Sequence, residues 1–172
     1  MITHYEDANI KIYKVKCPPF DNNAYLLVCP KTNESIIIDT PDNISDLIKI
    51  ASNTEVKAIL ITHNHSDHIQ GLTDITSAIP SQVGIAKADS DALLRNPDLL
   101  LKDGDITKAG TINLRTIASP AFNYDVKLTP IYNLIFRIIR SQKFISSRGT
   151  STEQNLANYE KQDYLSHFLV KS

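Results

Sequence analysis

The stretch VKAILITHNHSDHIQGL, residues 56–72, joins a nearly continuous apolar run to a cluster of histidines. Val56 to Thr62 has the composition of a strand covered on both faces, since a half-exposed strand would alternate polar with apolar residues. His63, His65, Asp67 and His68 follow at once, in the spacing H-x-H-x-D-H. With 5 His and 14 Asp in 172 residues, that spacing arises by chance roughly three times in ten thousand chains. A loop leaving a strand can aim alternate side chains at one point. Neutral imidazoles with one carboxylate suit Zn²⁺, with Fe²⁺ or Mn²⁺ as alternatives. The spacing allows one or two ions, with residues 63 and 65 serving one and residues 67 and 68 a second. Asp67 is the candidate catalytic carboxylate, because an ion pair held in this way activates water and stabilises an oxyanion.

Outward from this stretch the pattern is β-rich and then β-α repeated. Residues 9–16 (NIKIYKVK) alternate as a half-buried strand, with Ile10, Ile12 and Tyr13 competing for the inner face. NAYLLVC (23–29) and ESIIID (34–39) are joined by PKTN, a turn-forming sequence, and predict a hairpin that ends at Asp39. Ile44, Leu47, Ile48 and Ala51 recur at helical spacing behind a cap at Asp42 or Asn43. HIQGLTDITSAI (68–79) predicts a helix, SQVGIAK (81–87) a strand and ADSDALLRN (88–96) a short helix. Residues 99–119 read as a hairpin around Gly104 and Gly110. The fold class is therefore α/β (α+β).

Composition sets limits on partners and organisation. At 172 residues the chain holds about one domain. A net charge of −1 supplies no general field for nucleic acid or an anionic membrane. The longest apolar stretch, 131–139, is interrupted by Asn133 and Arg137 and is too short to span a bilayer. Cys17 and Cys29 lack a C-x-x-C arrangement and read as small buried residues. The opening residues carry no secretion pattern, which gives a cytoplasmic expectation. Residues 1–125 carry 11 Lys and Arg against 16 Asp and Glu, whereas 126–172 carry 7 against 3. The expected organisation is a domain over 1–125 and a divergent tail over 126–172, with an amphipathic helix at 131–140. His4 and His167, outside the motif, read as solvent-exposed.

THNHSDHIQGL at 62–72 resembles the metal-binding signature of the metallo-β-lactamase fold hydrolases. The upstream DNNAYLLVCPKTNESIIIDTP is similar to the paired opening strands of their glyoxalase II-like, or hydroxyacylglutathione hydrolase-like, branch. The resemblance covers residues 8 to about 118. It implies an αββα sandwich and hydrolysis of a small thioester or ester by a metal-bound hydroxide. It also implies that His63 and His65 bind the first metal and Asp67 and His68 the second. Asp39 would lie beneath the site, and Gly71 would let the following helix pack close.

Beyond residue 118 the chain departs from that pattern. The family's Thr-Pro-Gly-His-Thr segment corresponds to Ser119, Pro120, Ala121, Phe122 and Asn123, so Phe122 stands at a ligand position. No Asp or Glu occurs from 126 to 152 to supply the bridging carboxylate. The sandwich is thus expected to be incomplete in its C-terminal half and the hydrolase impaired. The alternative is a non-catalytic truncated or frame-disrupted remnant of such a hydrolase. A nuclease of the same superfamily is disfavoured, since no basic stripe accompanies the motif in 1–125.

Overall fold

In the computed structural model, which describes residues 3–19, 21–119, 122–128 and 136–137 and side chains through 117, the apolar run becomes the fifth strand of a seven-stranded sheet. The strands are β1 (Thr3–Glu6), β2 (Lys11–Cys17), β3 (Asn22–Val28), β4 (Glu34–Ile38), β5 (Glu55–Leu60), β6 (Gln82–Ala86) and β7 (Leu99–Leu101). They lie side by side in chain order. The first four are antiparallel, with the expected hairpin pairing Tyr25 to Ile38 and Val28 to Ser35. From β4 onward the sheet is parallel. Parallel neighbours need crossover connections, and α1 (Ser45–Ala51) links β4 to β5, while α2 (Ser66–Ile69) and α3 (Leu72–Ala78) link β5 to β6. A 3-10 helix over Lys87–Ala92 stands where the sequence predicts a short helix. A second, four-stranded sheet runs in the order β11 (Phe136–Arg137), β10 (Phe122–Leu128), β9 (Ile112–Ser119), β8 (Ile106–Ala109).

Both faces of the larger sheet are buried, which is why its central strands are apolar without interruption. Leu26, Val28, Ile37, Ile59 and Ile61 face Leu47 and Ala51 of α1 and Leu72 and Ile75 of α3. Their alternates Leu27, Ile36, Ile38, Ala58 and Leu60 face Ala109, Ile112 and Leu114 of the second sheet. Ile10 and Ile12 belong to this inner layer, while Tyr13 packs on the helical side. The layers are helix, sheet, sheet, the order of the expected αββα sandwich. The helix expected over 131–140 lies outside the described residues except at Phe136–Arg137, which pair as a short strand with β10. Among the described residues no helix is long and apolar enough to cross a membrane.

Two local expectations are corrected. Neither Asp42 nor Asn43 caps α1, whose cap position is Ile44 with no side-chain hydrogen bond. Asn43 adopts φ 54° and spends its amide on the Pro18 carbonyl at 3.1 Å, tying this loop to the end of β2. The single helix expected over 68–79 is two helices, because the Gly71 N–H turns to the Thr40 carbonyl at 2.9 Å. An added Cβ at Gly71 would lie 2.3 Å from the Pro41 carbonyl oxygen and 2.8 Å from Ile44 Cδ1.

Cys17 and Cys29 are buried and free, as the sequence indicates. Burial, with Asp42 and Asp46 nearby, pushes the Cys17 thiol up to about 11. Cys29, just beyond β3, lies under Gly110 of the β8–β9 hairpin, which turns with φ 55°. Its sulfur accepts the Thr111 N–H at 3.4 Å and sits 3.3 Å from Thr111 Oγ1. Burial raises this thiol, but hydrogen bonds from Thr111 and Thr32 outweigh it and bring it down to about 6.

Gly71→Ala should lower stability by roughly 1–3 kcal/mol, because the Pro41 backbone cannot yield as a side chain would; chemical denaturation measures this, and an unchanged midpoint would contradict the packing. For Cys29, a thiol depressed in the folded state stabilises most above its unfolded value of 9.0, and that contribution disappears as pH falls through about 6. Thermal unfolding between pH 6 and 9 should therefore rise more steeply for the native chain than for Cys29→Ala. Parallel profiles would refute the assignment.

Candidate metal centre

The parallel register Ile38 to Leu60 brings the carboxyl ends of β4 and β5 to the same sheet edge. Asp39 leaves β4 with φ 60°, a left-handed turn that Asp tolerates better than most residues. Its N–H donates to the Leu60 carbonyl at 2.9 Å, and its carboxylate, on a side chain 6% exposed, lies beneath the loop that follows β5. The Thr62 N–H donates to Asp39 Oδ1 at 2.8 Å, and Thr62 Oγ1 lies 3.0 and 2.8 Å from the two carboxylate oxygens. His68 Nδ1 lies 2.8 Å from Asp39 Oδ2. The His68 carbonyl is pinned from below by the Thr40 N–H at 2.9 Å.

These contacts assign the protons. A carboxylate only accepts, so His68 carries its proton on Nδ1 and presents a lone pair at Nε2. Thr62 has one hydroxyl proton, which goes to Asp39, so the same Oγ1 accepts from His63 Nδ1 at 2.9 Å. His63 therefore also bears its lone pair at Nε2. One buried carboxylate thus sets the tautomer of two imidazoles, directly for His68 and through Thr62 for His63.

The motif side chains gather above this base in pairs. The ring centroids of His63 and His68 are 4.2 Å apart and those of His63 and His65 are 4.7 Å apart. His63 and His68 are buried, Asp67 is half-buried and His65 is exposed. Asp67 Oδ2 lies 3.7 Å from His68 Nε2. Two atoms each about 2.1 Å from a tetrahedral ion stand roughly 3.4 Å apart, so this pair has the separation of donors sharing one cation. Among the described residues no set of three or more His, Cys, Asp or Glu donors is arranged around one ion. The donor types at Asp67 and His68 suit a divalent cation, for which these residues would be two of the ligands.

Other residues fall into place around this edge. Phe122, at the expected ligand position, begins β10 opposite Ser119. His167 lies outside the described residues. His4 is half-buried, with its ring edge-on to Tyr25 at 6.4 Å, which corrects the expectation that it is exposed. Asn22, at the start of β3, donates from Nδ2 to both the backbone carbonyl and Oδ2 of Asp67, each at 2.8 Å. Nothing in the sequence links position 22 to position 67; the link exists because β3 starts at the edge where β4 ends.

Comparison with known proteins agrees with this architecture. The family model of the metallo-beta-lactamase superfamily matches residues 17–130. A hydroxyacylglutathione hydrolase of Roseobacter denitrificans is 38% identical over 97 residues, covering 56% of this chain and 37% of its own length. One from Rhodopseudomonas palustris (strain HaA2) is 27% identical over 106 residues, covering 61% of this chain and 41% of its own length. The chain thus spans about two fifths of the length of these curated relatives. Among solved structures, the B3 metallo-beta-lactamase BLEG-1 superposes with a TM-score of 0.61 at 20% identity, over 69% of this chain and 66% of that one. ETHE1 from Myxococcus xanthus gives 0.58 at 15% identity, over 68% and 53%. At these identities the structural likeness is one of fold. The family match spans more than half of the sequence and contains both the Asp39 turn and the histidine loop, and the chain belongs to the metallo-beta-lactamase superfamily.

Proposed function

We propose that this chain carries the metal-binding part of a metal-dependent hydrolase acting on a small thioester or ester, and that its turnover is impaired. The observation that carries the reading is the Asp39 network, which engages Nδ1 of His68 directly and of His63 through Thr62, with His68 Nε2 3.7 Å from Asp67 Oδ2. Both curated relatives described above are named hydroxyacylglutathione hydrolase, which supports a thioester substrate.

In this reading His63 and His65 hold one ion and Asp67 and His68 a second, Zn²⁺ first among candidates with Fe²⁺ or Mn²⁺ as alternatives. A bound ion supplies Lewis acidity, lowering the pKa of water and polarising a carbonyl. The chain's own residues prepare for it. Asp39 accepts from Nδ1–H of His68, and Thr62, itself bound to Asp39, accepts from Nδ1–H of His63, so that Nε2 of each ring is the nitrogen left to face an ion. Asp67 is the carboxylate we assign to catalysis, as ligand and proton acceptor. Turnover suffers because the family's next ligand position holds Phe122 and no acidic residue occurs from 126 to 152. Two recognisable ligands per ion fall short of the three that catalytic zinc sites use.

The substrate we assign is a small molecule and not a nucleic acid, given the acidic excess of residues 1–125. A cytosolic setting, where thiols stay reduced, suits the free cysteines Cys17 and Cys29. A second reading, a non-catalytic remnant, draws on the switch to a basic composition after residue 125 together with the departure at 119–123. The encoding DNA distinguishes the two: a Pro-Gly-His and a Gly-Asp segment in a shifted frame beyond residue 118 would establish the remnant, and their absence would exclude frame disruption.

Protein purified without added zinc should carry well under one tightly held ion per chain, and Asp39→Asn should weaken Zn²⁺ binding a further 10–100-fold or so, read by competition with a chromophoric chelator. Two ions surviving dialysis against a chelator would overturn the account of the missing ligands. Hydrolysis of a hydroxyacylglutathione should run far below about 1 per second. Turnover at or above that rate, abolished by Asp67→Ala, would overturn the impairment while leaving the hydrolase.

A further inference from the structure

Asp39 supports two of the motif histidines from below, directly at His68 and through Thr62 at His63, whereas the carboxylate of the motif is Asp67. The support for that carboxylate comes from a different strand. Asn22 opens β3, which is antiparallel to β4, so its side chain enters the site from the side opposite β5. Both of its contacts, Asp67 O and Asp67 Oδ2 at 2.8 Å each, are acceptors. The atom facing them is therefore the amide nitrogen, and both of its protons are spent on one residue. Clamping the main-chain carbonyl and a carboxylate oxygen of the same residue fixes the side-chain torsions of Asp67 relative to the turn that carries it.

The clamped oxygen is also the one that lies 3.7 Å from His68 Nε2. A carboxylate oxygen has two lone pairs. The same oxygen accepts from Asn22 at 2.8 Å and faces His68 Nε2 at 3.7 Å. We propose that Asn22 is a positioning residue that sets Asp67 Oδ2 and His68 Nε2 at ion-sharing distance, so that the strength of the second cation position depends on a side chain that does not ligate. The proposal rests on the metal-binding reading of the loop. It follows a general rule for metal sites, in which a hydrogen bond that orients a ligand is worth 10–100-fold or so in affinity.

The test is Co²⁺ titration of the full chain, read by its visible absorption, for the native protein, Asn22→Ala, Asp67→Ala and the double variant. Asn22→Leu repeats the measurement with the branched shape retained, and circular dichroism verifies the fold of each. We expect Asn22→Ala to weaken Co²⁺ binding about tenfold or more and to change the band intensities, and to have no further effect once Asp67 is Ala. A residue serving only to hold β3 would lower the melting temperature and leave the native Co²⁺ affinity in place, which would overturn the proposal, as would an equal loss in the presence and absence of Asp67. A native chain that takes up no Co²⁺ would overturn the metal-binding reading itself and this proposal with it; a native chain that binds Co²⁺ alongside an Asn22→Ala chain that binds it equally well would overturn this proposal alone.

Discussion

A carboxylate on a side chain only 6% exposed is costly to bury unless donors surround it. Asp39 is surrounded by the Thr62 N–H, the Thr62 hydroxyl and His68 Nδ1–H, drawn from the end of β5 and from α2. The contacts that make this burial tolerable are the same ones that hold the histidine loop, so stability and site geometry share a single set of hydrogen bonds. Removing the carboxylate would leave those donors buried and unsatisfied, a larger cost than the bonds themselves are worth. The neighbouring turn reinforces the arrangement: Thr40 binds the His68 carbonyl, and its own carbonyl receives the Gly71 N–H. Gly71 must be glycine for that approach, since the Pro41 carbonyl occupies the space of a Cβ.

The parts of this fold that could be read from sequence are those where one local pattern determines one outcome. Four uninterrupted apolar residues at 58–61 leave little choice but a strand buried on both faces, and β5 lies between the helical layer and the second sheet. The β3–β4 hairpin follows equally from two β-branched or aromatic runs around Pro30 and Asn33. What could not be read depends on long-range contacts. Asn43 looks like a cap, yet a carbonyl 25 residues away claims its amide. The helix at 68–79 has an unbroken periodicity, and only the proximity of Thr40 redirects the Gly71 N–H. β1 has too little apolar alternation to be recognised, and its strand character comes from pairing with β2.

The candidate site divides along the same line. His63, His65, Asp67 and His68 announce themselves by spacing, and Asp39 by its place at the end of an isoleucine run. Thr62 and Asn22 carry no such mark. Each acts through a partner fixed by sheet register, Thr62 because β4 and β5 run parallel and Asn22 because β3 runs antiparallel to β4. The candidate ligands are thus legible as a motif, whereas the groups that orient them are legible only as topology.

The strict chain order of the larger sheet has a consequence for how the protein emerges during synthesis. Each strand from β1 to β7 pairs only with its predecessor and successor, so the sheet can be laid down as the ribosome delivers it, each parallel strand waiting only for the crossover that precedes it. Once β6 has appeared, both neighbours of β5 are in hand and the edge bearing Asn22, Asp39 and the histidine loop can close. The opposite face is completed later: Leu27, Ile36, Ile38 and Leu60 wait for Ala109, Ile112 and Leu114, which are translated only afterwards. For that interval the nascent sheet displays an uncovered aliphatic surface, the kind of surface that chaperones engage and that drives nascent chains to associate.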